Sequence, residues 1–161
     1  MSTSNTVPGK VLAAIKSRKF AQIARLCAPK VDFQGWTPTG HWTAEDGNTV
    51  AKIVEAWFSP GSGANTVVWS NETANSKAAT LEYEVSWLAQ PDDQPRVLRE
   101  AWFMTLKEGR ITSARVYCAG LHTEFPEVDL DKQRRSKGLL GPAPATKSTA
   151  PTVRAVAAKA P

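Results

Sequence analysis

The chain has 161 residues, of which 42% are hydrophobic and 22% are charged, as is typical of a soluble globular domain. Its formal charge of +5 is uneven, because seven basic residues and no acidic residue follow Asp131. The rest of the chain holds 13 basic and 15 acidic residues, so the net charge does not mark the folded part as a nucleic-acid binder. No stretch approaches the ~20 apolar residues that span a bilayer, so we expect a cytoplasmic protein without a membrane partner.

The first third of the chain predicts helices. Residues 1–9 form a polar leader in which Pro8 suits a first helical turn. Apolar residues at helical spacing over residues 10–26 predict two short helices, or one helix with a break near residues 17–19. Pro29 ends this helical stretch.

A short strand and a third helix follow. Alternation predicts a strand over residues 30–36, and the polar residues 37–43 predict a loop. Residues 48–58 carry apolar side chains on one face, which indicates an amphipathic helix with Thr43 or Asp46 as its cap.

The middle of the chain predicts antiparallel strands. They cover residues 65–72, residues 78–89 and two strands within residues 97–118, which are joined by a tight turn at residues 107–110. Residues 90–95 form the loop between the second and third of these strands. Helices followed by such strands indicate an α+β domain, with one curved sheet wrapped around about three helices.

The end of the chain changes in composition. Residues 129–161 are rich in Pro, Ala, Ser, Thr and Lys and have no aromatic residue. Such a segment does not bury enough apolar surface to fold, so we expect a disordered tail after a domain over residues 10–128. Its basic residues without interleaved aromatic residues do not favour a nucleic-acid partner.

Glu100 is the most informative single residue. It shares one face of a predicted strand with Leu98 and Trp102, and burying a bare charge on such an apolar face is very costly. The carboxyl group is therefore protonated, engaged in chemistry, or paired with Arg99 or Arg115 after a bulge has changed the register.

The cysteine and histidine residues predict no metal site. Cys27 falls in a predicted helix and Cys118 in a predicted strand, which favours two free thiols, with a disulfide as the alternative. His41 and His122 stand alone, without the spacing of a metal-binding motif.

Two motifs resemble the nuclear-transport-factor-2-like superfamily, in particular its SnoaL-like branch of polyketide cyclases, ketosteroid isomerases and limonene epoxide hydrolases. One is the closing hairpin, in which Glu108-Gly109-Arg110-Ile111 leads to Tyr117, and the other is the Trp57-Phe58 end of the third helix. The resemblance covers roughly residues 8–126. It implies a cone-shaped mixed sheet with an apolar pocket at the wide end.

The resemblance also implies which residues face the pocket. Alternation directs Leu81, Tyr83, Val85 and Trp87 inward on one strand and Leu98, Glu100, Trp102 and Met104 on the next. On the last strand alternation leaves the phase open, and the resemblance to the limonene epoxide hydrolase pattern favours Thr112, Ala114, Val116 and Cys118 as the inward residues. From these strands and the helix layer we expect the ligand-binding residues Trp87, Leu98, Trp102, Val85, Phe33, Trp57, Val116 and Cys118. The partner expected there is a hydrophobic small molecule.

The chain departs from the epoxide hydrolase pattern. The catalytic and water-holding positions of that subgroup fall here on Tyr83, Val85, Val116, Phe33 and Gly35, and all five differ from the pattern. Ala119 stands where many members carry an Asp. Epoxide hydrolysis by that mechanism is therefore disfavoured.

The function implied is cofactor-free proton transfer on a hydrophobic carbonyl compound. Glu100 is the expected acid or base, because desolvation raises its pKa, and Tyr83 is the expected donor to a carbonyl oxygen. His41 and His122 are weaker acid–base candidates. The alternative is a ligand-binding or dimerisation module of the same fold that performs no chemistry.

The outer face of the sheet predicts a homodimer. Arg99, Ala101, Phe103 and Thr105 alternate with the pocket-facing residues on the same strand, so they point away from the core. A second copy of the chain is the expected partner on that face.

Overall fold

The computed structural model describes residues 5–90 and 94–122, with side chains up to residue 120. The elements in this part are α1 (Val7–Lys16), α2 (Ala21–Leu26), β1 (Cys27–Thr37), β2 (Gly40–Ala44), α3 (Gly47–Trp57), β3 (Ser62–Ala74), β4 (Ala78–Leu88), β5 (Arg96–Lys107) and β6 (Arg110–His122). No helix among them is long and apolar enough to cross a membrane. The predicted tail over residues 129–161 lies outside the described residues.

The six strands form one mixed, curved sheet in the order β2-β1-β6-β5-β4-β3. The pair β1 and β6 runs parallel, and the other four neighbouring pairs run antiparallel. The helices contact the sheet through β1, β2, β3 and β4. The predicted α+β cone of helices and curved sheet is confirmed.

The N-terminal helices begin and end at specific backbone signals. The side chain of Thr6 accepts a hydrogen bond from the Gly9 amide, and Pro8 lies in the first turn, so α1 starts within the predicted leader. Arg18 then adopts a left-handed conformation with φ of 55°, which ends α1 and confirms the predicted break.

Two predictions near β1 were wrong. Cys27 begins β1 rather than lying in a helix, because its backbone is extended and pairs with Ile111 of β6. The predicted loop at residues 37–43 instead contains β2, which pairs back on β1 from Thr37 and Gly40 onward. A short polar segment gives no alternation signal, so only the sheet pairing defines it.

The core forms between α3 and the alternating strands. Asp46 caps α3 by accepting a hydrogen bond from the Thr49 amide over 2.9 Å, as predicted. The inward face predicted for β4 and β5 is confirmed by the burial of Leu81, Tyr83, Val85, Trp87, Leu98, Glu100, Trp102 and Met104. The turn between β5 and β6 has positive φ at Glu108 and Gly109, which matches the twist of the two strands.

The predicted inward position of Thr112 was wrong. Thr105 pairs with Ser113 and Leu106 pairs with Ile111, so Thr112 is an extra residue on β6. This bulge lets Ile111 take the buried position, whereas Ala114 and Val116 are buried as predicted.

A polar junction connects the α1–α2 turn to the start of β3. The Arg18 guanidinium donates to the Asn65 side-chain oxygen over 3.0 Å and to the Phe58 carbonyl oxygen over 2.9 Å. The amide nitrogen of Asn65, which is 2% exposed, donates to the Ile15 carbonyl oxygen over 2.8 Å. Asn65 therefore provides hydrogen-bond partners to groups on both sides of the junction.

Replacing this amide should destabilise the fold. Asn65→Ala leaves the Ile15 carbonyl and the Arg18 guanidinium without that partner, so we expect a loss of about 2 kcal/mol in the free energy of unfolding. Urea unfolding measures this loss. Asn71→Ala, at an exposed position of the same strand, is the control and should change stability by less than about 0.5 kcal/mol. Equal effects of the two substitutions would contradict the assigned role.

Candidate functional site

The register of three strands assembles the candidate site. Tyr83 on β4 lies directly opposite Glu100 on β5, and Glu100 lies directly opposite Cys118 on β6. Trp102 follows Glu100 by two residues and therefore shares its face. Four side chains from three adjacent strands meet on the inner face of the sheet as a result.

The Glu100 carboxyl group is buried and held at one oxygen. The Tyr83 hydroxyl donates to Glu100 Oε2, and the Trp102 indole nitrogen donates to the same oxygen over 3.0 Å. Glu100 Oε1 has no hydrogen-bond partner within the described residues. The residue is only 1% exposed. One oxygen is thus fixed by two donors, and the other is left for a further partner.

Burial raises the pKa of Glu100 to about 7. Desolvation causes the rise, and it outweighs the opposing effects of Tyr83, Trp102 and the Cys118 thiol. The thiol interacts electrostatically with the carboxyl group, although its geometry does not complete a hydrogen bond to Oε1. At neutral pH the carboxyl group therefore exists in both protonation states.

Within the described residues, Glu100 does not pair with an arginine, which was the predicted alternative. Arg99 pairs with Glu84 over 2.5 Å, and Arg115 pairs with Asp32 over 2.5 Å. Both pairs involve exposed groups and lie away from the buried carboxyl group. Among the described residues, no cation is paired with the Glu100 carboxyl group.

The Tyr83 hydroxyl contacts Glu100, and Tyr83 does not line the cavity described below. It is completely buried, and its hydroxyl hydrogen is used in the bond to Glu100. Desolvation and the neighbouring carboxyl group raise the pKa of Tyr83 well above its ordinary value. The hydroxyl therefore stays protonated, and its partner in this structure is the carboxyl group; donation to a carbonyl oxygen stays a prediction.

The two cysteine residues are free thiols, as the sequence favoured. Burial raises the pKa of Cys27 to about 11 and that of Cys118 to about 12. Glu100 is the second cause of the rise at Cys118. Both thiols are therefore protonated at neutral pH, and neither is an activated nucleophile.

A cavity of about 440 Å³ adjoins the carboxyl site. It is lined by Thr37, Pro38, Thr39, Trp42, Ala56, Trp57, Ser59, Leu98, Cys118, Ala119 and Gly120. Leu98 precedes Glu100 by two residues on the same face, and Cys118 is its partner across the sheet. These two lining residues are therefore neighbours of Glu100 in the sheet, whereas Glu100 itself does not line the cavity.

Three of the eight predicted ligand-binding residues line this cavity, namely Leu98, Trp57 and Cys118. The other five, Trp87, Trp102, Val85, Phe33 and Val116, are buried in the core instead. Phe33 packs against Trp57 and Trp102, with ring centroids 6.1 and 5.9 Å away. Alternation identifies the inner face but not the depth of a side chain along its strand, which is why these residues are core rather than lining.

Of the two predicted histidine candidates, the structure describes the side chain of His41 alone, and it does not join the site. His41 is exposed and stacks on Trp36 with ring centroids 5.0 Å apart, and Trp36 in turn stacks on the exposed Tyr117. His122 ends β6, and its side chain lies outside the described residues. Within the described part of the chain, no group of three or more His, Cys, Asp or Glu residues is placed to hold a metal ion.

The β1–β2 hairpin supplies lining residues that alternation did not identify. Trp42 packs edge-on against Trp57, with ring centroids 6.4 Å apart. A side chain at Gly35 would lie only 2.7 Å from the Trp57 ring, so the glycine admits the indole against β1. A glycine within a predicted strand signals such a close approach, and that signal was available in the sequence.

A bulge shapes the end of β6 beside the cavity. Glu100 pairs with Cys118, whereas Leu98 pairs with Leu121, so β6 carries one extra residue here. Gly120 accommodates the change with φ of 92°, and its amide donates to the Cys118 sulfur over 3.3 Å. The extra residue places Ala119 and Gly120 in the cavity wall.

Comparison with known proteins identifies the fold. No family model and no curated protein matches the chain, but solved structures do. It is similar to a proposed isomerase from Rhodopseudomonas palustris at 14% identity and a TM-score of 0.52, covering 80% of this chain and 91% of that one. A protein with a ketosteroid isomerase-like fold from Catenulispora acidiphila, crystallised with trimethylamine, gives 14% identity, a TM-score of 0.56 and coverage of 71% and 86%.

At such low identity the likeness defines the fold alone. The chain has a ketosteroid isomerase-like fold. The resemblance predicted from the closing hairpin and the end of the third helix is confirmed at this level.

The raised pKa of Glu100 predicts a pH-dependent stability. In the unfolded chain its pKa is about 4.5, so between pH 4.5 and 7 the unfolded chain loses a proton that the folded chain keeps. Unfolding is therefore favoured as the pH rises, by about 3 kcal/mol in total above pH 7.

Glu100→Gln removes this dependence while keeping an oxygen for both donors. Urea unfolding from pH 4.5 to 8 should show the variant gaining about 3 kcal/mol relative to the wild type. A difference that stays constant over this range would mean that the carboxyl group titrates normally.

Proposed function

We propose that the chain binds a hydrophobic carbonyl compound and catalyses cofactor-free proton transfer of the isomerase, cyclase or dehydratase type. The observation that carries the proposal is the Glu100 carboxyl group, which is buried beside the cavity with one oxygen free of any described partner. Its raised pKa, caused by desolvation, lies where a group both takes and returns a proton at neutral pH.

The proposed step uses the two carboxyl oxygens differently. Oε2 accepts from Tyr83 and Trp102 and stays fixed, so Oε1 removes the proton from the carbon next to the carbonyl group. The C–H bond breaks, an O–H bond forms on Oε1, and the electron pair passes to the carbonyl oxygen as an enolate. Protonated Glu100 then returns the proton to carbon, or to a departing oxygen in a dehydratase.

The proposed reaction requires the ligand to reach the Glu100 carboxyl group from the cavity. Leu98 and Cys118 border both the cavity and Glu100, so these two side chains must separate when a ligand reaches Oε1. Both side chains are small relative to the cavity, and the β6 bulge lies directly beside Cys118. A ligand that stayed outside this barrier would be bound without chemistry.

The similar structures support the class of function and nothing finer. One is named as a proposed isomerase, and another has a ketosteroid isomerase-like fold. The substrate of this chain is inferred from its own cavity, which is mostly apolar and large enough for a bicyclic molecule.

Exchange of a carbon-bound proton tests the proposed chemistry. The bicyclic ketone 2-tetralone is incubated with the full chain in deuterated water, and deuterium uptake is followed by mass spectrometry. We expect uptake above the buffer rate, rising with pH to a plateau above about 7 because the base must be ionised. Glu100→Gln should reduce the catalysed rate by roughly 10²–10⁴-fold.

The control is Glu82→Gln, which removes an exposed carboxyl group from the outer side of β4 and should leave the rate unchanged. Binding of the ketone without catalysed exchange would overturn the enzymatic proposal and favour a ligand-binding module. Catalysed exchange that survives Glu100→Gln would assign the chemistry to another group.

A second candidate function is self-association through the outer face of the sheet. Phe103 and Tyr117 are 50% and 51% exposed, and they contact each other edge-on with centroids 6.0 Å apart. Trp36 and His41 continue this row of rings across β1 and β2. We name these four residues the outer aromatic row, and an exposed row of this kind favours a protein interface.

The outer aromatic row predicts a homodimer. We expect the wild type to sediment at twice its chain mass of 17.4 kDa, and Phe103→Glu to sediment as a monomer, because a charge in the middle of an apolar interface is costly. Val68→Glu changes an equally exposed residue on β3, two strands away, and should leave the mass unchanged. A monomeric wild type at high micromolar concentration would contradict this second candidate.

A further inference from the structure

A ketone that enters an apolar cavity needs a hydrogen-bond donor for its oxygen, because an unpaired carbonyl oxygen loses the bonds that it made to water. The Tyr83 hydroxyl is not available for this purpose, since it donates to Glu100. Trp102 also donates to Glu100. The donor must therefore come from another part of the cavity wall.

The Trp57 indole nitrogen is a buried donor without an acceptor. The ring lines the cavity, and Nε1 has no hydrogen-bond partner within the described residues. Leaving such a group unpaired in a folded chain costs about 1–3 kcal/mol. An oxygen placed by a ligand beside Nε1 would recover this loss on binding.

Trp42 provides a direct contrast in the same cavity. Its indole nitrogen donates to the Thr37 hydroxyl oxygen over 3.1 Å. The Thr37 hydroxyl in turn lies within hydrogen-bond distance of Thr39 and of the Gly40 carbonyl oxygen. The Trp42 indole and the Thr37 and Thr39 hydroxyl groups thus already have hydrogen-bond partners. Of the two indoles that line the cavity, the Trp57 indole has none within the described residues.

Packing holds the Trp57 ring in place. Its edge rests on the bare backbone of Gly35, where any side chain would collide with the ring. Phe33 packs on it at 6.1 Å, and Trp42 packs on it edge-on. A donor fixed in this way recognises an oxygen at little entropic cost.

We propose that the Trp57 indole N–H is the hydrogen-bond donor that recognises the carbonyl oxygen of the ligand. This inference rests on the function proposed above. It assigns Trp57 Nε1 and Glu100 Oε1, which have no partner within the described residues, to two neighbouring atoms of one ligand. The carbonyl oxygen meets Trp57 Nε1, and the adjacent carbon meets Glu100 Oε1. The class of ligand is therefore a compact apolar ketone or aldehyde with few other polar groups.

Spectroscopy of the wild-type chain tests the inference without a mutation that affects folding. The full chain with ¹⁵N-labelled indoles is titrated with 2-tetralone and separately with tetralin, the hydrocarbon of the same ring skeleton without the oxygen. We expect the ketone, and not the hydrocarbon, to move the Trp57 Nε1–H proton downfield. The Trp42 resonance is the internal control and should not show this ketone-specific shift.

Affinity provides the second readout. In the wild type we expect the ketone to bind about three- to tenfold more tightly than the hydrocarbon, which is the effect of one net hydrogen bond. Trp57→Phe should abolish this preference. Trp42→Phe is the matched control, and it should weaken both ligands alike and keep their ratio.

The outcomes separate this inference from the function on which it rests. If neither compound binds, the proposed pocket function fails together with the inference. If both bind equally and the Trp57 resonance shows no ketone-specific shift, the pocket stands and the donor role is overturned. A ketone preference that persists in Trp57→Phe would likewise overturn the assignment of the donor.

Discussion

The burial of one carboxyl group constrains the pairing of the sheet. Glu100 keeps both of its donors only while Tyr83 lies opposite it on β4, because a slip of two residues, which leaves the apolar faces inward, would move Tyr83 away from it. A buried carboxyl group without donors is strongly unfavourable, so this polar contact disfavours alternative registers that the apolar side chains alone would tolerate. The same desolvation raises the pKa of Glu100 to about 7. Strand register and acid–base behaviour therefore have a common physical origin.

The two faces of β5 serve different purposes. Its inner face carries Glu100 and Trp102, and its outer face carries Arg99 and Phe103. The charged groups on the outer side are balanced there, as Arg99 pairs with Glu84. No cation from that side reaches the buried carboxyl group within the described residues, which keeps the interior apolar. The proposed binding site and the proposed association surface therefore lie on opposite faces of a single strand.

Much of the fold was predictable because alternation and helical spacing are strong along this chain. Glu100 was identified because a carboxyl group interrupts an apolar face. The three errors have one cause, because each depends on a partner strand: Thr112 is the extra residue of a bulge, Cys27 is drawn into β1 by pairing, and β2 is defined by its pairing with β1. The hydrogen bond of the Trp102 indole and the lack of a described partner for the Trp57 indole were also not predictable, since the direction of an indole N–H depends on packing rather than on face.

Gly35 influences the shape of the cavity indirectly, through the Trp57 ring. The glycine does not line the cavity, yet the Trp57 ring that does line it rests directly on its backbone. One added methyl group at this position would displace the Trp57 indole and so change the shape of the cavity. The size of the proposed binding space can therefore be tuned by a substitution in β1 at a residue outside its lining.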